Sequence, residues 1–525
     1  MASSLVTPSG ARTEDEQRAR FFAWPKLAAA FALLIGLLVT AALARAHTGG
    51  SFIYPVDDAY IHLAAARRFV ETGDRTFLAA SSSIAWPWLL VLLRELGAKD
   101  LAPLAVNIVV TIALFFVLER ALTNFGARRS SALALLLLVL VPIVPLALSG
   151  MEHTTHALFV LALALIGART VARCEPVRWP IFLCAFGAVA FRYEAIFVVL
   201  PILFLFFVAR RSRDAVLVGG AALLPVIASG IASIARGGYF LPVPVLLKRT
   251  QLDLFSLPAK IYYRLIDNPH VLVLFVLLLF ALRAERNDDA SKPSVLERRG
   301  LLLIAIVTLT LQTTFAQLGW FYRYEAYAIL LGLVAVAASA LAHRAALRNF
   351  AIPFFVLALP LVGRGIGSFR TTILASENIF DQEVQMASFV RAHYDDRAVA
   401  LNDIGAVAYF SNAHVVDLMG LASPRIARAR GMRIDGPLDE KEIAAITQDE
   451  QAPIAILYED WFAGSIPAPW HKIGSWKIAN NHVCAKDTVT FYATSAIEGS
   501  ILTENLRAFS TQLPASITQT SSDLR

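Results

Sequence analysis

Charge is scarce in this sequence. Only 17% of its 525 residues are charged, against 57% apolar, and the mean hydropathy is +0.60. A soluble protein of this length needs far more polar surface, so that class is excluded and an integral membrane protein is expected. Cysteine is almost missing too. Cys174, Cys184 and Cys484 are too few and too scattered for a disulfide framework or a thiolate metal site. The net charge is +7, but the arginines fall in short runs between apolar segments. Positive-inside bias accounts for them, and no nucleic-acid partner is implied.

What is abundant is apolar sequence in runs. They lie near 26–45, 101–121, 131–148, 154–169, 177–191, 195–209, 214–234, 268–282, 300–319, 325–341 and 348–362. The first is followed by "ARA" at 44–46 and reads as an uncleaved span. "SIAWPWLLVLLREL" at 83–96 carries Pro87 and is too short to cross, so it reads as a short, partly buried helix. With that segment excluded, "NFGARRS", "RTVARCEPVR", "ARRSRD", "RAERNDDASKPSVLERR" and "AHRAALR" all fall on the cytoplasmic side with the basic N-terminus.

The expected fold is a polytopic α-helical membrane protein with about 11 transmembrane helices and a C-terminal extracytoplasmic α/β domain. Residues 1–25 form a cytoplasmic segment, 26–362 the membrane domain with an acidic outer loop at 46–100, and 363–497 the α/β domain. There "AVALND", "IAILYE" and "TVTFYAT" read as strands, and "IGAVAYF" as a helix or another strand. Residues 498–525, rich in Ser and Thr without apolar periodicity, read as a disordered tail. The expected location is a bacterial inner membrane, with the N-terminus cytoplasmic and the α/β domain periplasmic.

On this topology the polar chemistry gathers on one face. It comprises "DDAY" at 57–60, "SGMEHTTH" at 149–156, "FRYE" at 191–194, "YFLPVPVLLKR" at 239–249, "WFYRYE" at 320–325 and the α/β domain. Asp57 and Asp58 precede a stripe of Ile61, Leu63, Ala66, Phe69 and Val70 that ends at Gly73. They therefore start an amphipathic helix near the interface, where one acid caps while the other faces a ligand, or both are merely solvated. Glu152 and His153 lie in a turn between apolar runs. Arg192 with Glu194, and Arg323 with Glu325, are either ligand contacts or structural ion pairs. Lys248 and Arg249 follow a rigid proline loop and either hold an anionic headgroup or decorate the surface.

Carboxylates beside several cations at lipid depth suit a phosphate carried on a lipid and attacked by a neutral acceptor. Cations meet the leaving phosphate's charge, and an Asp accepts the acceptor's hydroxyl proton. The competing classes are a transporter or flippase of a lipid-linked anion, which needs charges near mid-bilayer, and a non-catalytic envelope assembly protein.

The motifs "VDDAYIHLAAARRFVETG", "SGMEHTTHALFVL", "FRYEAIF", "LPVPVLLK" and "NDIGAVAYFSNAHVVDLMGLASP" resemble the GT-C glycosyltransferases that use polyprenyl-phosphate sugars, in particular the bacterial terminal arabinofuranosyltransferase branch. The likeness extends over nearly the whole chain except the tail and lies in the order of the motifs. It implies an inverting transfer of a sugar, a pentofuranose such as arabinose among the options, from a polyprenyl-phosphate donor to an envelope glycan or glycolipid. Membrane lipids are implied as further partners.

Carried over by motif, Asp57 is the catalytic base and Asp58 a second acid. Glu152, Arg192 with Glu194, and Asp403 of the "DxG" segment fall on the family's elements as substrate contacts; on their own chemistry and placement, His153 beside Glu152, and Arg323 with Glu325, join them. Pro242 through Lys248, with Arg249, lies near the donor phosphate. Asp417, Gly420 and Leu421 match a "DLxGL" element. The sequence departs from the family at Val243, which replaces a polar residue of the proline loop, and at "TGDRTFLAASSS", which abbreviates a longer stretch; both elements are expected to line the donor pocket. Some relatives by fold use a divalent cation, although two vicinal acids are not a three-ligand site.

Overall fold

The computed structural model describes residues 14–247, 255–343, 351–434, 436 and 438–521. It is mostly helical, with a mixed α/β domain at the C-terminal end. Among the described residues, four helices are long and apolar enough to cross a membrane: Trp24–His47, Ala102–Asn124, His153–Ala172 and Ser212–Ile234. A fifth span results if Leu257–Asp267 and Pro269–Glu285, bent by 100°, count as one.

This overturns the expected eleven spans. The apolar helices Ser130–Leu140, Trp179–Phe191, Tyr193–Val208 and Ala326–Ala342 are 10–17 residues long. At about 1.5 Å per residue they fall short of a hydrocarbon core of roughly 30 Å. The run at 131–148 breaks at Pro142 into Ser130–Leu140 and Ile143–Leu148. Helix Pro293–Phe315 opens on charge at Glu297, Arg298 and Arg299 and carries Gln312 and several threonines. Ala326–Ala342 is apolar because protein surrounds it: 13 of its 17 residues are buried. Hydropathy records that a segment avoids water without saying what covers it. The sidedness argument counted eleven crossings, so the expected multi-pass inner-membrane placement and the periplasmic position of the α/β domain fall with that count.

The α/β domain is built on a six-stranded sheet. Its strands are β1 (Ala398–Leu401), β2 (His414–Asp417), β3 (Ile454–Leu457), β4 (His471–Ile478), β5 (Thr488–Ala493) and β6 (Ile517–Ser521), in the order β2-β1-β3-β5-β4-β6. β1 runs parallel to β2 and β3, with Val399 opposite both Val415 and Ile454, and the remaining pairs are antiparallel. Residues 496–521 are no disordered tail: helix Ala496–Phe509 packs Leu502, Leu506 and Phe509 into the core, and β6 pairs with β4.

Helix Asp58–Thr72 is not an interfacial amphipathic helix. All eight residues from Ala59 to Ala66 are buried, and most of them join Val407, Ala408, Phe389 and Trp476 in one apolar cluster with the sheet domain. Tyr60 sits 5.1 Å from the ring of Phe410 and 5.9 Å from that of Tyr409. Gly73, at φ 73°, ends the helix by bonding back to Phe69. The first acidic loop thus becomes part of the α/β core, and this places its carboxylates at the seam between the two halves of the chain.

Candidate functional site

Neither Asp57 nor Asp58 caps its own helix. Asp57 instead reaches across the seam to the short helix Gly405–Phe410, where its carboxylate accepts from the backbone N–H of Gly405 at 2.8 Å and of Ala406 at 2.7 Å. The other end of that helix is held by the same partner: Arg67 donates to Ser411 O at 2.5 Å, and Arg68 to Ala413 O at 2.9 Å. An anion at the N-terminal amides and cations at the C-terminal carbonyls both complement the helix dipole.

Asp58 pairs with the guanidinium of Arg323, which is 3% exposed and also lies over the Tyr324 ring. Arg323 Nε and Nη1 are buried and have no hydrogen-bond partner among the described residues. A buried donor left without an acceptor costs about 1–3 kcal/mol, more when charged. Arg323 lines a cavity of about 770 Å³, together with Asp57, Asp58, Arg264, Glu383 and Asp403.

Two of the lining acids, Glu383 and Asp403, form a second constellation with Tyr458. Tyr458 Oη stands 2.6 Å from Gln382 Oε1, 3.1 Å from Glu383 Oε1 and 3.1 Å from Asp403 Oδ2. One hydroxyl proton cannot serve three acceptors, so Tyr458 donates to one of them at a time. Burial, then the neighbouring charges of Asp403 and Asp57, raises the proton affinity of Glu383 well above the ordinary carboxylate range. Asp57 is raised in the same direction by burial and Asp403, with the two backbone N–H groups opposing. Burial raises the Tyr458 phenol as well.

The remaining expected residues are divided. Arg192 is clamped between Glu152, 2.7 Å from its Nη1, and Glu194, 2.6 Å from its Nη2, so "FRYE" forms an ion-pair network with Glu152. Arg192 and Glu194, together with Pro244 and Tyr324, line a smaller cavity of about 250 Å³; Gln317 and Tyr324 line both cavities. Glu325 does not pair with Arg323. It accepts from Gly319 N at 2.8 Å and pairs with Arg364 and with His270 at 3.2 Å. Glu152, His153 and Glu325 are buried and line neither cavity. Lys248 and Arg249 lie outside the described residues. Asp417 is spent on its own turn, accepting from the N–H groups of Met419, Gly420 and Ala422.

Sequence reading missed Glu383, Tyr458 and Arg264. Glu383 lies in a π-helical turn, Phe380–Val384, between two helices, a feature that often marks functional sites. The polar set "ENIFDQEVQ" in an otherwise apolar helical run was the available signal.

A cluster with metal-ligand chemistry sits elsewhere. Glu285, Asp288 and His343 bring one ligand atom each within 4.8 Å of the others. His343 follows the end of helix Ala326–Ala342, whereas the cavity-lining Arg323 and Tyr324 precede its start, so the cluster and the cavity lie at opposite ends of that helix, roughly 26 Å apart at 1.5 Å per residue. Arg298 already donates to both Glu285 oxygens at 2.7 and 2.9 Å and to Asp288 at 3.0 Å.

A family model described as Domain of unknown function (DUF8728) matches residues 377–492. The match takes in Glu383, Asp403, Gly405 and Tyr458 and leaves out Asp57, Asp58 and Arg323. No curated protein matches the chain.

Proposed function

We propose that this protein transfers a sugar from a polyprenyl-phosphate donor to a glycan or glycolipid hydroxyl, as its resemblance to the GT-C glycosyltransferases implies. One observation carries the reading. Arg323, almost fully buried and with two guanidinium nitrogens unpartnered among the described residues, lines the same cavity as the carboxyls of Asp57, Glu383 and Asp403. Such an arrangement suits a leaving phosphate on one side and a hydroxyl losing its proton on the other.

In the proposed step the acceptor oxygen bonds to the anomeric carbon while the carbon–phosphate oxygen bond breaks. The phosphate leaves with the bonding electrons, and Arg323 meets its charge. Asp57 takes the hydroxyl proton. Its carboxylate is oriented by Gly405 and Ala406, and its raised proton affinity favours acceptance. Asp58 holds Arg323 in place. Attack opposite the phosphate inverts the anomeric centre.

The residue types at Glu285, Asp288 and His343 fit a divalent cation, but Arg298 supplies positive charge among the same oxygens. Those three residues would hold it at the far end of the helix from the cavity, where it would brace helix ends.

The test is incubation of the full chain in lipid nanodiscs with a panel of polyprenyl-phosphate sugars, pentofuranoses included, and envelope glycans. A mass gain on the acceptor, lost in Arg323→Met, is expected. Movement of the donor across a vesicle with no new glycosidic bond would instead establish a transporter.

A further inference from the structure

The bent pair Leu257–Asp267 and Pro269–Glu285 turns through 100° at Asn268. Pro269 begins the second helix, where its missing N–H and fixed φ are tolerated. The first helix buries none of its residues completely. Ala259, Tyr262, Tyr263 and Ile266 recur at the i, i+3, i+4, i+7 spacing of one helix face, and all four are exposed. Tyr262 is 61%, Tyr263 63% and Ile266 52% exposed.

This face is outward by design of the opposite one. Arg264 donates to three carbonyls at the end of helix Pro293–Phe315: Thr313 at 2.8 Å, Thr314 at 3.2 Å and Ala316 at 3.1 Å. Its guanidinium caps that helix's C-terminus and fixes the rotation of its own helix, so the apolar stripe cannot roll inward.

The neighbouring helix says what covers the stripe. Leu272, Leu279 and Phe280 on Pro269–Glu285 are also exposed, so an apolar surface continues around the corner. Pro269–Glu285, at 17 residues, is too short to cross alone, so with this exposed face toward lipid it dips into the bilayer, and a helix at 100° to it runs along the bilayer surface. Tyrosine, with an apolar ring and a polar tip, is enriched at that level.

We infer that Leu257–Asp267 is an in-plane helix of the lipid headgroup region, with Tyr262, Tyr263 and Ile266 facing the bilayer. Its reverse side carries Arg264, and Asp267 and Asn268 follow at the bend; all three line the large cavity. The cavity therefore opens at headgroup height, where a lipid carries its phosphate. The placement holds whichever reaction the cavity performs.

Fluorescence of the full chain in phosphatidylcholine–phosphatidylglycerol vesicles tests it. A Cys174→Ser background leaves only the buried Cys184 and Cys484. An environment-sensitive dye is then attached at Tyr263→Cys, at Ile266→Cys or, as a control, at the exposed Ser500→Cys. Dyes at 263 and 266 should shift to the blue, lose most of their emission to a spin label near the lipid headgroup and resist aqueous iodide. The dye at 500 should behave in the opposite way. Quenching of both test positions by iodide, with none from lipid labels, would overturn the placement; strongest quenching by a mid-chain label would instead show a deeply inserted segment. Two test sites guard against one variant failing to fold. No outcome depends on sugar transfer, so this inference and the proposed reaction can fail separately.

Discussion

The carboxylate of Asp57 rests against the backbone of Gly405, 348 residues away, and takes the amide protons of Gly405 and Ala406. A side chain on residue 405 would collide with both the carbonyl and the carboxylate of Asp57. The contact therefore needs the absence of a side chain at one partner as much as the charge on the other. It joins the helical part to the α/β domain at the wall of the cavity, so packing of the two halves and chemistry in the cavity share one hydrogen-bonded pair.

Gly405→Ala is expected to destabilise the protein by about 1–3 kcal/mol, the usual cost of forcing an extra methyl into a packed site. Its thermal midpoint should fall, and transfer should fall further than the loss of folded protein accounts for, because Asp57 is displaced. A midpoint equal to that of the parent would show that the two halves part easily at this point.

Asp57→Asn separates charge from shape. An amide retains one acceptor oxygen, but its NH2 group then opposes a backbone N–H, and one buried donor is left unsatisfied. The expected cost is about 1–3 kcal/mol, with loss of transfer at any pH. Asp58→Asn should behave differently: it too costs stability, because the buried Arg323 loses its carboxylate, but its kinetic defect is a raised apparent KM for donor. Equal kinetic defects in the two variants would mean that the acids act as a single unit.

The stability of the cluster around Tyr458 should depend on pH in a definite direction. Burial and neighbouring carboxylates raise the folded-state pKa of Glu383. A carboxyl raised in this way contributes its stability in acid and loses it as pH climbs through the folded-state value. Glu383→Gln imitates the protonated form, so its midpoint should match the parent's in mild acid and exceed it at neutral pH. Thermal scans of both proteins at the two pH values check this; a variant less stable than the parent at both would show that the ionised form is the one the fold needs.

How much of this was legible in the sequence differs from element to element. β1, β3 and β5 were readable because each is a short apolar run set between turns. β6 was not, since "ITQTS" gains its strand character from pairing with β4. Asp57 and Asp58 stood out as vicinal acids in an oily chain, but nothing local says that one meets Gly405 and the other Arg323. The RYE motifs looked like a matched pair. One closes on itself through Arg192 and Glu194, while the other splits, with Arg323 going to Asp58 and Glu325 to Arg364. Such partner choices are set by tertiary packing, as is the difference between a helix covered by lipid and one covered by protein, on which the span count failed.

The network of Glu285, Asp288, Arg298 and His343 yields the last prediction. Glu285 is fully buried, and Arg298 satisfies both of its oxygens. Removing one partner strands the other's charge, so Glu285→Gln should cost about 3–5 kcal/mol. Because the guanidinium already neutralises these carboxylates, chelation should leave the parent's thermal midpoint unchanged, and added manganese or zinc should not raise it. Arg298→Met reverses the situation: two carboxylates and an imidazole are left without their cation, and a divalent ion should then restore stability in a saturable way. A midpoint that drops when the parent protein is chelated would show instead that a metal ion, and not Arg298, balances this end of the helix.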